Sequence, residues 1–200
     1  MRKLLLSLGI FTALSCSALN QPTIGNIDSN VHVIAFLEPK CPDSKKYYIE
    51  TYPKLKSEFI DQNKISYTVI TTSFLYKSKI FALALICLYH ENEKYFFDFL
   101  DYIYKNQSNE KSNWATKEKA LEFAKNANPN IDINKLKACI EHEDFDGQVE
   151  ENTDLGNLFL GHLSTPTLMV NGTRIENKEA IPTWPELKEA ILQAIQKQKN

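Results

Sequence analysis

A single cysteine lies between two prolines in the stretch Phe36-Leu37-Glu38-Pro39-Lys40-Cys41-Pro42-Asp43-Ser44-Lys45-Lys46. An apolar run, residues 31–37, ends just before this cysteine, and a segment of helical periodicity follows it. Cys41 is therefore predicted at a helix N-terminus, where unpaired N–H groups and the helix dipole favour a thiolate. The thiolate is the nucleophile of disulfide exchange. The alternative for a lone cysteine is a buried, inert side chain.

The elements around this stretch predict a β-α-β unit. The run from Val31 to Leu37 does not alternate between apolar and polar residues, which indicates a strand covered on both faces. Ile65 to Thr71 is rich in β-branched residues and is predicted as a second, parallel strand. Pro53 interrupts the intervening helix, so we expect a kink at or near Tyr52. The segment from Gln21 to Asn26 is interpreted as a short entry segment.

A second motif lies more than 120 residues further along the chain, in Ser164-Thr165-Pro166-Thr167-Leu168-Met169-Val170-Asn171-Gly172. Asn-Gly is a strong signal for a hairpin turn, so Thr167–Val170 and Thr173–Ile175 are predicted as its two strands. Thr183 and Glu186 have the spacing of a capping box and predict the start of a closing helix.

The region between these two parts has helical periodicity throughout. An α/β unit formed by residues 19–77 and 163–200 would thus enclose an all-helical insertion, residues 78–162. Gly147 and Gly156 weaken the expectation that its last helix is continuous. The predicted helices are Ile80–His90, Lys94–Lys105, Thr116–Asn126, Asn134–Glu143 and Phe145–His162.

The two motifs together resemble those of the DsbA-like branch of the thioredoxin-like proteins, which are periplasmic thiol–disulfide oxidoreductases. A strand followed by Cys-Pro-x-Cys at a helix start is similar to Cys41-Pro42-Asp43-Ser44, with Ser44 in place of the resolving cysteine and Asp43 where that branch often has His or Tyr. Residues 164–172 resemble the cis-proline segment of the family. The resemblance implies a thioredoxin-like α/β fold with an inserted helical subdomain, and a cis Thr165–Pro166 bond facing Cys41.

Ser44 determines which reaction is expected, because a hydroxyl group cannot form a disulfide. Cys41 would attack a client disulfide, and a client thiol or an external thiol or redox partner would release it, which is isomerase- or reductase-like chemistry. The alternatives are a redox-inactive chaperone or peptide-binding protein that uses the same groove, and a structural lipoprotein. The expected catalytic residues are Cys41, Ser44, Thr165 and Pro166, and the expected modulating residues are Lys40, Pro42, Asp43 and Lys45.

Charge and cysteine usage restrict the remaining function classes. With 23 basic and 25 acidic residues, the net charge of -2 argues against nucleic acid as a partner. No cofactor is expected, and the histidines lack metal-ligand spacing with the cysteines. If Cys16 is removed or lipidated, three thiols remain. Cys41 belongs to the exchange motif, which leaves Cys87 and Cys139 as the pair. The resemblance implies the same structural disulfide, because DsbA-like proteins carry a cysteine in each of the two helices that contain Cys87 and Cys139.

The first residues have the features of a secretory signal. Met1-Arg2-Lys3 precedes an apolar run from Leu4 to Leu14 that is too short to span a bilayer, so residues 1–18 are predicted as a signal peptide. A periplasmic or secreted protein is then expected. The alternative is a lipoprotein signal that ends before Cys16, which would anchor the protein to a membrane; no other membrane contact is expected.

Overall fold

The computed structural model describes residues 21–176 and 181–198. The predicted signal peptide, residues 1–18, and Cys16 lie outside the described residues. The strands within them are β1 (Thr23–Gly25), β2 (His32–Leu37), β3 (Ser66–Thr71), β4 (Thr167–Val170) and β5 (Thr173–Arg174). They form one mixed sheet of order β1-β3-β2-β4-β5. Strands β2 and β3 are parallel, whereas β1 pairs antiparallel with β3, β4 with β2, and β5 with β4.

Strand β2 lies in the middle of this sheet, and its last five residues are buried. Val33, Ala35 and Leu37 belong to the main core, whereas Ile34 and Phe36 pack into a smaller cluster that includes Leu163 and Met169. Both faces are therefore covered, as the missing alternation predicts. The strand leads directly into the cysteine-containing stretch.

The helical segment after β2 is broken near Pro53, as expected. Helix α1 (Pro42–Glu50) ends before Thr51, and a single helical turn, α2 (Tyr52–Leu55), follows. Proline has no N–H to donate to the preceding turn, so the break falls at this position. A π-helical turn, Lys56–Ile60, then completes the segment, and no pattern in the sequence predicted it.

The helices between β3 and β4 form the cap of the molecule. Helix α3 is its centre, since every side chain from Phe81 to Leu88 is buried. Helix α7 is continuous in spite of its glycines, and a Cβ atom at Gly156 would lie only 2.7 Å from Leu163 Cδ1, so close packing explains that glycine. The cap helices are α3 (Lys79–Glu91), α4 (Glu93–Asn106), α5 (Lys117–Ala127), α6 (Ile133–His142) and α7 (Asp146–Leu160).

The structure corrects the sequence prediction at the N-terminal end of the sheet. Residues 23–25, for which the sequence indicated only an entry segment, form β1 and pair with β3. Three residues are too short for a periodic signal, and the pairing is supplied by a strand about 40 positions away. Strands β2 and β3 also begin one residue later than predicted, and β5 ends at Arg174 rather than Ile175.

The C-terminal part follows the expected pattern. Asn171 and Gly172 both have positive φ, 47° and 77°, as the tight turn between β4 and β5 requires. Helix α8 (Trp184–Lys197) closes the chain, and the Glu186 carboxylate accepts hydrogen bonds from the backbone N–H and the hydroxyl of Thr183. Leu187 and Ile191 are buried against the main core.

Candidate active site

Cys41 is the N-cap residue of α1. Pro42 occupies the first helical position, where its missing N–H does no harm, and Cys41 accepts the first helical hydrogen bond from Lys45 N at 3.1 Å. The Cys41 side chain makes no capping hydrogen bond to the first turn of this helix. The thiol is free but only 8% exposed. An anionic sulfur at this position would be stabilised by the N–H groups of the first turn.

The segment before β4 lies directly against this cysteine. Cys41 Sγ donates a hydrogen bond to the carbonyl oxygen of Thr165 at 3.2 Å, and the Thr165–Pro166 bond is cis, as the resemblance implies. The sheet brings the two motifs together, because Phe36 near the end of β2 pairs with Thr167 at the start of β4. The residue before the proline therefore faces the thiol.

Ser44 lies in the first turn of α1 and is completely buried. Its hydroxyl oxygen accepts a hydrogen bond from Glu38 N at 3.4 Å, which ties the helix start back to the end of β2. Ser44, predicted as a site residue, thus connects the start of α1 to Glu38 through this hydrogen bond. It offers no sulfur with which Cys41 could form a disulfide.

Glu38 is a buried acid that the sequence analysis did not single out. Its Oε2 atom accepts a hydrogen bond from Lys40 N at 2.7 Å, and its side chain has no exposed surface. Burial raises the pKa of this carboxyl group to about 7, although the nearby Ser78 hydroxyl, the backbone N–H groups of the turn and the charge of Lys40 oppose the shift. A glutamate after an apolar strand reads as a surface turn residue, so nothing in the sequence indicated this burial.

The lysines expected around the thiol are held by the cap instead. Lys40 is buried, and its ammonium group donates to the carbonyl oxygens of Tyr76 at 2.6 Å and Ser112 at 3.2 Å. Lys45 Nζ donates to Gln107 O at 3.2 Å. Neither ammonium group hydrogen-bonds to Cys41 within the described chain, whereas Pro42 and Asp43 are exposed beside the thiol. A modulating effect of these four residues remains a prediction.

Two further cap residues hold the cysteine-containing turn. Gln107 Nε2 donates to Pro39 O at 2.8 Å and to Cys41 O at 3.2 Å, and Tyr104 OH donates to Glu38 O at 3.2 Å. Gln107 lies between two of the predicted helices, and no local pattern reveals that such a residue contacts a turn more than 60 positions away. The cap is thus part of the site's framework.

Comparison with known proteins agrees with this geometry. A family model described as thioredoxin matches residues 17–192. The chain is 31% identical over 172 residues to disulfide bond formation protein D of Bacillus subtilis (strain 168), covering 86% of this chain and 75% of that protein. The chain belongs to the DsbA-like thioredoxin family. Its fold is similar to the crystal structures of Chlamydia trachomatis DsbA (TM-score 0.80, 28% identity, covering 89% of this chain and 93% of that one) and of oxidised BdbD from Bacillus subtilis (TM-score 0.81, 29% identity, covering 89% and 94%).

This DsbA-like protein carries one disulfide in its cap. Cys87 on α3 and Cys139 on α6 are bonded, with their Cα atoms 6.2 Å apart, as the thiol count and the resemblance predicted. Cys41 is the free cysteine among the described residues. The free thiol and the cap disulfide are therefore in different parts of the fold.

Among residues 21–176 and 181–198 of this DsbA-like chain, no group of three or more His, Cys, Asp or Glu residues is arranged to hold a metal ion. The same residues include no helix that is both long and apolar enough to cross a membrane.

Proposed function

We propose that this protein is an exported thiol–disulfide exchange protein that acts through a single thiol, Cys41, on disulfide-containing client proteins. The observation that carries the proposal is a free cysteine at a helix N-cap, hydrogen-bonded to the carbonyl of the residue before a cis proline, with serine in the resolving position. Relatives named as disulfide bond formation proteins and putative protein-disulfide oxidoreductases support exchange as the reaction class.

The exchange step follows from the groups present. The Cys41 thiolate attacks one sulfur of a client disulfide, an Sγ–S bond forms, and the other client sulfur leaves as a thiolate. A second client thiolate then attacks the mixed disulfide and releases Cys41, which rearranges the client without net oxidation. Alternatively, an external thiol attacks the client sulfur of the mixed disulfide and releases Cys41. A second external thiol then attacks the resulting client–external disulfide, so that the client is reduced and the two external thiols form a disulfide.

Client binding is proposed to use the backbone next to the proline. In this family, the residue before the cis proline pairs with an extended peptide, like an added strand. Thr165 holds that position here, and its carbonyl oxygen already lies 3.2 Å from the Cys41 sulfur. A client strand at Thr165 would bring its disulfide to the thiol. Unfolded or misfolded disulfide proteins are therefore the expected partners, outside the cytoplasm.

The test compares the wild-type protein with Cys41→Ala and Ser44→Cys variants. Wild type should form long-lived mixed disulfides with a protein carrying scrambled disulfides and should rearrange it weakly, yet it should not oxidise a reduced dithiol peptide stoichiometrically. Cys41→Ala should abolish the adducts, and Ser44→Cys should resolve them and oxidise the peptide, because it restores an internal attacking thiol. Non-reducing electrophoresis and thiol titration measure both results.

A matched control adds a thiol elsewhere. Ser57→Cys places a cysteine on the exposed side of the π-helical turn, away from Cys41, and should leave the adducts as persistent as in wild type. If Cys41→Ala captures the scrambled client as well as wild type does, the thiol is not the active group. A redox-inactive, peptide-binding protein would then be the correct account.

A further inference from the structure

Glu38 contacts every part of the turn that presents Cys41. The Glu38 carbonyl oxygen accepts Cys41 N–H at 3.1 Å, which closes the turn, and its Oε2 atom accepts Lys40 N–H at 2.7 Å inside the turn. Its own N–H donates to Ser44 Oγ. Tyr104 OH donates to the same Glu38 carbonyl from the cap. This residue thus connects the end of β2, the turn and the start of α1.

Within the part of the chain that the structure describes, the Glu38 carboxyl group forms no salt bridge, and the Lys40 charge acts on it without one. The titratable groups around it are Lys40 and Cys41 on its own segment and Tyr104 on α4. The Lys40 ammonium group is bound to two backbone carbonyls and lies 5.9 Å from the centre of the Tyr76 ring. Oε1 of Glu38 has no hydrogen bond of normal geometry among the described residues, and the neighbouring Ser78 hydroxyl donates to Leu75 O.

We propose that Glu38 is the positioning residue of Cys41, and that gain or loss of its proton changes the reactivity of the thiol. The two residues are the first and last of one hydrogen-bonded turn, which keeps their Cα atoms within about 7 Å of each other. A charge that appears on one therefore acts on the other across a water-poor region. The proposal rests on the proposed function only in taking Cys41 as the reacting group.

The direction of the effect follows from charge. Neutral Glu38 leaves the Cys41 thiolate stabilised by the helix start, whereas ionised Glu38 places a second negative charge beside it and opposes thiol ionisation. Because burial raises the pKa of Glu38 to about 7, the change of charge falls in the neutral range. Above neutral pH, the reactivity of Cys41 should therefore rise less steeply with pH than the reactivity of a thiol that has no carboxyl group beside it.

The experiment measures alkylation of Cys41 by iodoacetamide between pH 5.5 and 8.5, with the modified peptide quantified by mass spectrometry. In this reaction the thiolate forms a carbon–sulfur bond and iodide leaves. Glu38→Gln keeps a side-chain oxygen that can accept Lys40 N–H but cannot ionise. The variant should react at the wild-type rate near pH 5.5 and about fivefold faster at pH 8, a size set by a screened charge at this range.

Two controls separate charge from structure. Glu50→Gln removes an exposed carboxylate from the same helix and should follow wild type at every pH. The second control is the infrared absorption of a protonated carboxyl group. In wild type this band should disappear as the pH rises through neutrality, and in Glu38→Gln it should be missing at every pH in this range. This readout does not depend on how well the variant packs.

Several results would overturn the inference. They are a wild-type profile that follows one thiol ionisation, a rate ratio of Glu38→Gln to wild type that is constant with pH, or absence of alkylation throughout. A pH-dependent ratio without mixed disulfides would support the inference and reject the proposed function. Mixed disulfides with a constant ratio would do the reverse.

Discussion

At position 38 the fold keeps a carboxyl group where water cannot solvate its charge. Folding raises the pKa of Glu38 from 4.5 to about 7, so between these values the unfolded chain is ionised there and the folded chain is not. The unfolded state then binds fewer protons, and stability falls as pH rises through this window. Below 4.5 both states are protonated and this residue makes no difference.

We therefore expect Glu38→Gln to gain stability relative to wild type as pH rises from about 4.5 to 7.5. The gain should approach about 3 kcal/mol, as an upper figure, from the relation between pKa and free energy. Urea unfolding at several pH values measures it, with Glu50→Gln as a control whose exposed carboxylate should leave the slope unchanged. Parallel pH profiles for Glu38→Gln and wild type would contradict this account.

Sequence reasoning at the residue scale found the groups with a local signature and missed those without one. Cys41 and Pro166 each belong to a short motif, and in the structure the Cys41 Sγ atom lies 3.2 Å from the carbonyl oxygen of Thr165. Glu38 and Gln107 have no such signature, because their contacts depend on where the cap lies over the turn. Lys40 and Lys45 show the same limit. They are close to Cys41 in sequence, but their ammonium groups bind backbone carbonyl groups from distant parts of the chain.

At the scale of elements, the end of α4 functions as a clamp on the start of α1. Gln107 is the first residue after α4, and one side-chain amide bridges Pro39 O and Cys41 O. Without it, the Pro39 carbonyl loses this donor and the Cys41 carbonyl keeps only the N–H of Lys45, and each net hydrogen bond is worth about 1 kcal/mol. The helix periodicity that predicted α4 could not show what the residue after the helix touches.

Gln107→Ala should accordingly lower the free energy of unfolding by about 1–2 kcal/mol. Gln107→Glu should have a larger effect, because a carboxylate would place a charged acceptor against two carbonyl oxygens. Gln193→Ala on the exposed side of α8 is the matched control, and a change within about 0.5 kcal/mol is expected there. Equal losses in the Gln107 and Gln193 alanine variants would show that the bridge has no energetic role.

For the whole molecule, one hydrophobic core runs through both the sheet and the cap. The same buried cluster contains Val33 and Leu37 of β2, Tyr47 of α1, and Phe81 and Phe99 of the cap. Fold class was predictable from sequence because long helices and apolar strands have clear periods. The continuity of the core was not, since it depends on how α3 and α4 pack on the sheet.

This continuity predicts that the cap and the thioredoxin-like part unfold together. In urea, the far-ultraviolet circular dichroism, which comes mainly from the helices, should be lost at the same concentration at which Cys41 becomes exposed to a thiol reagent. The reason is that one continuous apolar core joins the two parts.

Replacing Cys87 and Cys139 by alanine should move both transitions to lower urea by the same amount. The disulfide closes a loop of 52 residues, and loop-closure entropy gives a loss of up to about 4 kcal/mol. Because the main core and the clamp at Gln107 join the two parts, a weaker cap must weaken the surroundings of Cys41 equally. Two separate midpoints, with the Cys41 transition unmoved in the double variant, would instead mean that the cap is an independently folding domain.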